Sequence, residues 1–590
     1  MDLQALAQRI LGISYPCSIE VVPADGTYVH YENGHAKVGG STVPALARAY
    51  MLLAKELQSG KTAFTVSQKP AFEDCGVMLD VSFCTPIKVN SVKKYLDYMA
   101  LHGMNMLMLY TEDTYEVEQY PYLGYQRGRY TIAELQEIDD YAYQLGIEVI
   151  PCIQTLGHMS KYLRYAVNGN IAENATVLLP GEPATYDFID ACIAACRKAF
   201  RSRRIHIGCD ETRGLGFGKT MERDGLRDCF DIFNEHLEKV VALCAKHDFH
   251  PMMWSDMYFA FAKPNRQDNF DMDTVIPQRA IDAMPDADMV FWDYYHDFEE
   301  YYASIIEIHK TFNRNILFAG GIWTWNGHVP NFRYTYDTVK PAMEACLKGG
   351  ITSVFGTAWC YGDINQTLSL PCLSMYSEYC WRGLDCTKED ITSTTEFITK
   401  MPFALTEAIS DYYCGMPGDY NWGKLVIWSD PLINLLCYNI DLAKVEHCCR
   451  QSLEVMKQYP DAPDIDYYTA VFQALLDKAV LHQNLRTRYK ADDRQWLQNF
   501  ADVTLPGMIE DFQKLYEVHD ANWHRDLKTQ GFEKLTVRSA GTIERLRCTQ
   551  REINRYLSGQ IDQIEALDPE VIHGETQLYL SPDSTMYSGG

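Results

Sequence analysis

Two spacings of apolar residues alternate along the chain. Short runs that are apolar at nearly every position are separated by longer segments with apolar residues at helical intervals. From residue 75 this alternation predicts strands at Gly76–Val81, Met104–Tyr110, Ile147–Gln154, Arg204–Ile207, Pro251–Trp254, Met289–Tyr294, Ile316–Ile322 and Ile351–Trp359. The helices between and after them are expected at Asn90–Leu101, Thr131–Leu145, Tyr186–Phe200, Asp228–His247, Pro277–Ala283, Glu299–Phe312, Thr338–Leu347 and Leu370–Arg382. Strands without a polar face must be covered on both sides, which implies a parallel sheet sheathed by helices. Eight strand–helix units over about 310 residues predict a closed (β/α)8 TIM barrel rather than an open sheet. No glycine-rich phosphate fingerprint follows the first strand, which argues against a dinucleotide fold.

The flanks read differently. Ser18–Val22, Tyr28–Tyr31, His35–Val38 and Ala63–Val66 read as short strands around an Asn33-Gly34 hairpin turn, with a helix at Val43–Leu57. Beyond residue 395 the strand signal fades. Phe397–Tyr412, Ile433–Tyr459, Tyr467–Lys490, Arg494–Val518 and Thr542–Leu567 carry helical spacing, and Ser588-Gly589-Gly590 reads as a frayed end. The expected organisation is an α/β protein in three parts: a small α/β domain (1–69), the barrel (70–395) and a mainly helical C-terminal domain (396–590) that packs on the barrel or forms a homodimer contact.

Composition narrows the function. A formal net charge of -26 disfavours nucleic acid and anionic membrane as partners. Met1-Asp2-Leu3-Gln4 lacks the basic start and apolar run of a signal peptide, and no stretch is apolar for long enough to span a bilayer. The 19 cysteines include no paired C-x-x-C motif, which argues against structural zinc. Many lie on apolar faces, as Cys192 and Cys196 do, so the expectation is a cytoplasmic protein of free thiols without disulfides.

Chemistry in such a barrel sits at the C-terminal ends of the strands. Those positions hold Glu112-Asp113, Gly157-His158, Asp210-Glu211, Trp254-Ser255-Asp256, Trp292-Asp293-Tyr294-Tyr295, Trp323-Thr324-Trp325-Asn326, and Trp359 with Asp363 close behind. Five of the ten tryptophans fall at strand ends, beside carboxylates. Aromatic faces stack on the C–H faces of sugars while carboxylates bond their hydroxyls, so the pattern suits a carbohydrate. An Asp-Glu dipeptide is ordinarily a solvated surface pair. Here the apolar Ile205-His206-Ile207-Gly208-Cys209 carries it to the barrel mouth. Two adjacent carboxylates repel, so one tends to keep its proton while the other stays ionised. Cleaving a glycosidic bond needs that division: a proton for the leaving oxygen and a stabiliser for the developing positive charge. No separate nucleophile stands out. A 2-acetamido group on the substrate would supply one, its amide oxygen.

His206-Ile207-Gly208-Cys209-Asp210-Glu211 resembles the H-x-G-x-D-E signature of family 20 glycoside hydrolases, the β-N-acetylhexosaminidases, which use substrate-assisted hydrolysis. Gly76–Val81, Gly128-Arg129-Tyr130-Thr131, Ile150–Met159 and Met253–Met257 are similar to the family as well, and the short flanks resemble its compact intracellular branch. The resemblance implies an exo-acting enzyme without metal or cofactor that releases terminal β-linked GlcNAc and/or GalNAc from a small glycan or glycoside through an oxazolinium intermediate. It implies that Asp210 orients the acetamide, that Glu211 is the general acid and base, and that Tyr294, or equally Tyr295, bonds the acetamido oxygen. Trp254, Trp325 and Trp359 would wall the pocket, with His158, Glu112 and Asp113 as a polar network beside the acid.

The chain also departs from the family. Cys75 and Phe83 stand where arginines are common, and Asp363 is the displaced candidate for the acid after the eighth strand. These positions bear on the outer hydroxyls, so the choice between gluco and galacto configuration stays open. The alternatives are a barrel glycosidase with a protein nucleophile, a catalytically silent sugar-binding protein, and a metal-dependent hydrolase, for which the usual histidine spacings are lacking.

Overall fold

The structure, a computed structural model, describes residues 1–83, 85–263, 270–325, 327–361, 364–414, 422–434 and 440–571. The chain forms two compact units. Residues 1–322, 335–359 and 369–399 make the first; residues 323–334, 360–368 and 400–590 make the second.

The first unit contains the eight-stranded barrel. Its strands are β5 (Asp74–Asp80), β6 (Met106–Tyr110), β7 (Glu148–Cys152), β8 (Arg204–His206), β9 (His250–Trp254), β10 (Asp288–Trp292), β11 (Ile316–Gly321) and β12 (Ser353–Ala358). Each pairs in parallel with the next, and β12 closes on β5 with Ser353 opposite Asp74. Alternate residues point inward. Met106, Met108 and Tyr110 on β6, Ile150 and Cys152 on β7, and Met252 and Trp254 on β9 fill the interior together with Met78, Val290, Leu317 and Phe355. This is a packed core of long, adaptable side chains rather than a pore. Strand β8 is the shortest, three residues against the four expected, because the chain leaves regular pairing at Ile207 on its way to Asp210.

At the opposite end of the barrel Arg204 bridges Asp74 on β5, at 2.6 Å, and Glu148 on β7, at 2.5 Å. Desolvation works against the Arg204 charge, and the two carboxylates more than offset it, so its ionised form is held more firmly than usual.

The N-terminal segment forms a four-stranded sheet: β1 (Ser18–Val22), β2 (Thr27–Glu32), β3 (His35–Gly40) and β4 (Ala63–Gln68), in the spatial order β1-β3-β2-β4. Strands β1 and β3 run parallel, and the other pairs are antiparallel. A helix at Leu3–Leu11, unforeseen in the sequence, is capped by Asp2. Arg48, on the helix Val43–Gln58, is fully buried and pairs with Glu378 at 2.9 Å. Its other nitrogens donate to Gln68 and to the His102 carbonyl. A lone buried guanidinium would be costly, and this threefold satisfaction removes the cost.

The second unit is helical, with Leu442–Met456, Ile465–Lys490, Leu505–Asp526 and Phe532–Leu557 as its main elements. The pattern at 397–412 proves to be two helices, Lys388–Thr399 and Phe403–Ser410, broken where Pro402 follows Lys400 at φ 60°. The pattern at 494–518 is interrupted by a wide turn at Phe500–Thr504. The last predicted helix begins ten residues early, at Phe532, and ends at Leu557. The expectation of free thiols throughout is corrected at one place: Cys414 and Cys448 are disulfide-bonded, with Cα atoms 6.6 Å apart. Cys414 follows the turn Asp411–Tyr413 and Cys448 lies on the helix Leu442–Met456, a juxtaposition invisible to local cysteine spacing. Fifteen other cysteines among the described residues form no disulfide. Ser588-Gly589-Gly590 lies outside the described residues. No described helix is long and apolar enough to cross a membrane.

Candidate active site

The site begins where β8 stops. Gly208 at φ 72° and Cys209 at φ 73° turn the chain, and Glu211 follows at φ 44°. A β-carbon on Gly208 would lie 2.0 Å from the Gln154 side-chain oxygen, so both the backbone angle and the space demand glycine there. Gln154, just past β7, uses its whole amide. Its nitrogen donates to Asp210 Oδ1 at 2.7 Å and to the Tyr110 hydroxyl at 2.9 Å, and its oxygen accepts the Cys209 N–H at 3.1 Å. Asp256, buried at the start of the helix Asp256–Ala262 after β9, accepts the Glu211 N–H at 3.1 Å. The acidic pair is thus clamped from β7 on one side and β9 on the other.

His158, at φ 53°, stands among three carboxylates. Its Nε2 lies 3.1 Å from Asp210 Oδ2 and 3.5 Å from Glu211 Oε2, and its Nδ1 lies 3.7 Å from Glu112 Oε1. Burial disfavours protonation of this ring, but Asp210 first, then Glu112 and Glu211, overcome it and raise its pKa to about 10. For Asp210 burial again opposes the charge, and His158 and Gln154 outweigh it, holding the carboxyl below its usual range. The Asp210 side chain is 12% exposed and that of Glu211 34%, so the first is the enclosed anion and the second is open to solvent.

Glu112 and Asp113, adjacent in sequence, part company. Glu112 faces His158, accepts a long hydrogen bond from Tyr110 at 3.4 Å, and pairs with Lys161 at 2.6 Å. Asp113 turns to Arg127 at 2.8 Å, and that guanidinium also holds the Ser82 carbonyl. Desolvation nevertheless leaves the Asp113 pKa raised.

Aromatic residues occupy the β9–β12 side. Trp254 is fully buried in the barrel core, 4.4 Å from the His206 ring and 6.2 Å from Trp359 between ring centres. Trp359 is half-buried and meets Tyr110 edge-on at 4.7 Å. Tyr294 is buried; desolvation pushes its hydroxyl pKa upward, against hydrogen bonds to Thr357 and Trp359, and the Asp210 charge adds to the rise. Tyr295, its equal in the sequence, is 39% exposed and meets Tyr294 ring to ring at 5.7 Å. Only Tyr294 therefore shares an enclosed environment with Asp210. Trp325 belongs to the second unit, where it stacks on Trp323 at 4.2 Å. Asp363 and Asn326 lie outside the described residues. Cys75 is buried, its thiol pKa raised by a hydrogen bond to Cys380 and by desolvation, so no cation stands in the first strand at that place.

Sequence reasoning had placed Asp256 among the strand-end residues without giving it a role, and had not singled out Gln154, Lys161 or Tyr110. Tyr110 ends β6, and Gln154 lies four residues before His158. Both positions were visible, but nothing local marks an amide or a phenol as a clamp. Among the described residues no three His, Cys, Asp or Glu side chains converge as a metal site would require. The arrangement offers one enclosed carboxylate, one open carboxyl, an imidazolium between them and an aromatic wall.

Comparison with known proteins agrees with this geometry. The Glycosyl hydrolase family 20 catalytic domain matches residues 72–276, and the Glycoside Hydrolase 20C C-terminal domain matches residues 412–582. Human Hexosaminidase D is 26% identical over 233 residues, 38% of this chain and 45% of that protein. A probable beta-hexosaminidase of Arthroderma benhamiae is 25% identical over 321 residues, 49% of this chain and 46% of that protein. The chain thus spans about half the length of these relatives. Among solved structures, a beta-N-acetylhexosaminidase superposes with a TM-score of 0.51 at 18% identity, covering 65% of this chain and 91% of the other. A mutant Streptomyces plicatus beta-hexosaminidase in complex with GlcNAc product also gives 0.51, at 17% identity, covering 67% and 87%. These two likenesses concern the fold. With two of its domains matched across more than half of its residues, the chain belongs to glycoside hydrolase family 20.

Proposed function

We propose that the protein is an exo-β-N-acetylhexosaminidase that removes terminal non-reducing GlcNAc or GalNAc by substrate-assisted, retaining hydrolysis. The observation that carries this reading is the unequal placement of two adjacent acids. Asp210 is enclosed and held ionised by His158 and Gln154, while Glu211, 3.5 Å from the same imidazole, opens to solvent.

In the first step the acetamido N–H donates to Asp210, and the amide oxygen attacks the anomeric carbon. The glycosidic C–O bond breaks as the Glu211 proton passes to the leaving oxygen. Asp210, kept anionic, stabilises the cationic oxazolinium. In the second step Glu211 takes a proton from water as that water attacks the same carbon, reopening the ring with net retention. Tyr294 hydrogen-bonds the acetamido oxygen, with Trp359 beside it as part of the wall. Trp254 supports that wall from the core, and Tyr295 is assigned to the outer pocket. His158 and Glu112 complete the polar network, with Asp113 fixing the loop behind Glu112. The barrel, with its N-terminal segment, is the catalytic part.

The 15 cysteines without a disulfide among the described residues support a cytoplasmic setting, and the helical C-terminal part is the proposed homodimer contact.

The test compares aryl β-N-acetylglucosaminide, aryl β-N-acetylgalactosaminide and aryl β-glucoside, with and without a thiazoline mimic of the intermediate. Hydrolysis confined to the acetamido sugars and blocked by the thiazoline is expected. Comparable turnover of the glucoside would favour a protein nucleophile instead.

A further inference from the structure

Glu112 is a buried carboxylate between two unlike cations. Its side chain is 1% exposed; Oε2 lies 2.6 Å from Lys161 Nζ, while Oε1 faces His158 Nδ1 at 3.7 Å and Tyr110 at 3.4 Å. The His158 distance is too long for a hydrogen bond, and the Tyr110 contact is marginal. Among the described residues only the lysine grips this carboxylate firmly. Lys161 sits in the one-turn helix Ser160–Leu163, three residues beyond His158, and its Nζ also lies 4.0 Å from the ring centre of Phe83, in the loop after β5. The ring face and the carboxylate together fix the ammonium in direction, and its side chain is only 19% exposed. A lysine that merely solvated the surface would show neither constraint.

We propose that Lys161 is a positioning residue for the acid–base pair. By holding one oxygen of Glu112 it keeps the other aimed at His158, and His158 in turn spans Asp210 and Glu211. Lys161 does not touch the reacting atoms. Its removal frees Glu112 to rotate, releases the far side of the imidazole, and lets the two acids drift from their working separation. A displacement of this size acts on turnover more than on binding. Phe83, which stands where the family commonly has arginine, takes part by supplying the face on which the lysine rests.

The inference rests on the proposed hydrolase reading, and the experiment separates the two. Steady-state kinetics on an aryl β-N-acetylglucosaminide are measured for the wild type, K161M, K161R, E112Q and the K161M/E112Q double variant, each with its Tm. A wild type without turnover would remove the hydrolase reading itself. With an active wild type, K161M is expected to lose about 10- to 100-fold in kcat with KM within about 3-fold, and K161R to recover most of the loss. In the E112Q background the lysine no longer has a carboxylate to steer, so K161M should cost less than about 2-fold more. The double variant leaves no lone charge buried; if K161M alone does not fold, E112Q must itself lose kcat rather than KM, and wild-type kcat there overturns the proposal. Wild-type kcat in K161M, a loss confined to KM, or an undiminished penalty in the E112Q background would each overturn the proposal.

Discussion

The two ends of strand β8 carry similar ingredients to opposite purposes. At the N-terminal end Arg204 is shared by Asp74 and Glu148, two carboxylates around one cation. At the C-terminal end, six residues on, His158 is shared by Asp210, Glu211 and Glu112, three carboxylates around one cation. None of Arg204, Asp74 and Glu148 has a left-handed backbone, whereas Glu112, His158, Cys209 and Glu211 all do, with φ between 44° and 73°. Such backbone is costly for residues with a β-carbon and persists only where surrounding contacts impose it. Here the imposing contacts are Gln154 on the Cys209 N–H and Asp256 on the Glu211 N–H. Ion pairing at one end closes the barrel. The same physics at the other end gathers an uneven set of charges around one imidazole.

If the two ends differ in this way, substitutions at each should separate activity from stability. The largest effect is expected from Glu211→Gln, which removes the transferable proton. Turnover of a substrate with a poor leaving group should fall by about 10² to 10⁴, with partial rescue on aryl glycosides that leave unprotonated and little change in Tm. Near-wild-type turnover on the poor leaving group would remove Glu211 as the acid. A smaller and opposite effect is expected from Arg204→Met. Leaving Asp74 and Glu148 unpaired should cost about 1–3 kcal/mol, discounted for their partial exposure, seen as a Tm drop of several degrees with kcat nearly unchanged. A large loss of kcat at unaltered Tm would show that the two ends are not independent.

Much of the barrel was legible because its strands are buried on both faces and their apolar runs are continuous, as at Met106–Tyr110 and Ile316–Gly321. The place of Asp210 and Glu211, just beyond β8, was legible for a related reason: the apolar run that carries them reads as a strand ending in two acids. The fate of Glu112 and Asp113 was not. Consecutive residues leaving a strand point to opposite sides, and only the fold shows that one meets Lys161 and the other Arg127. The Arg48–Glu378 pair spans 330 residues and the Cys414–Cys448 bond 34, separations over which local pattern carries no information. The broken helix near Pro402 follows from a proline, and the wide turn at Phe500–Thr504 lies just ahead of another, Pro506, in the first turn of the next helix.

In the proposed mechanism the nucleophile belongs to the substrate. The direct measurement is kcat/KM across aryl β-glycosides whose 2-acetamido methyl carries zero, one, two or three fluorines, since each fluorine weakens the amide oxygen while leaving the sugar and leaving group unchanged. A monotonic fall exceeding about 100-fold across the series is predicted for attack by that oxygen. A flat series, with all four substrates cleaved at similar rates, would contradict the account and send the search back to a carboxylate of the protein.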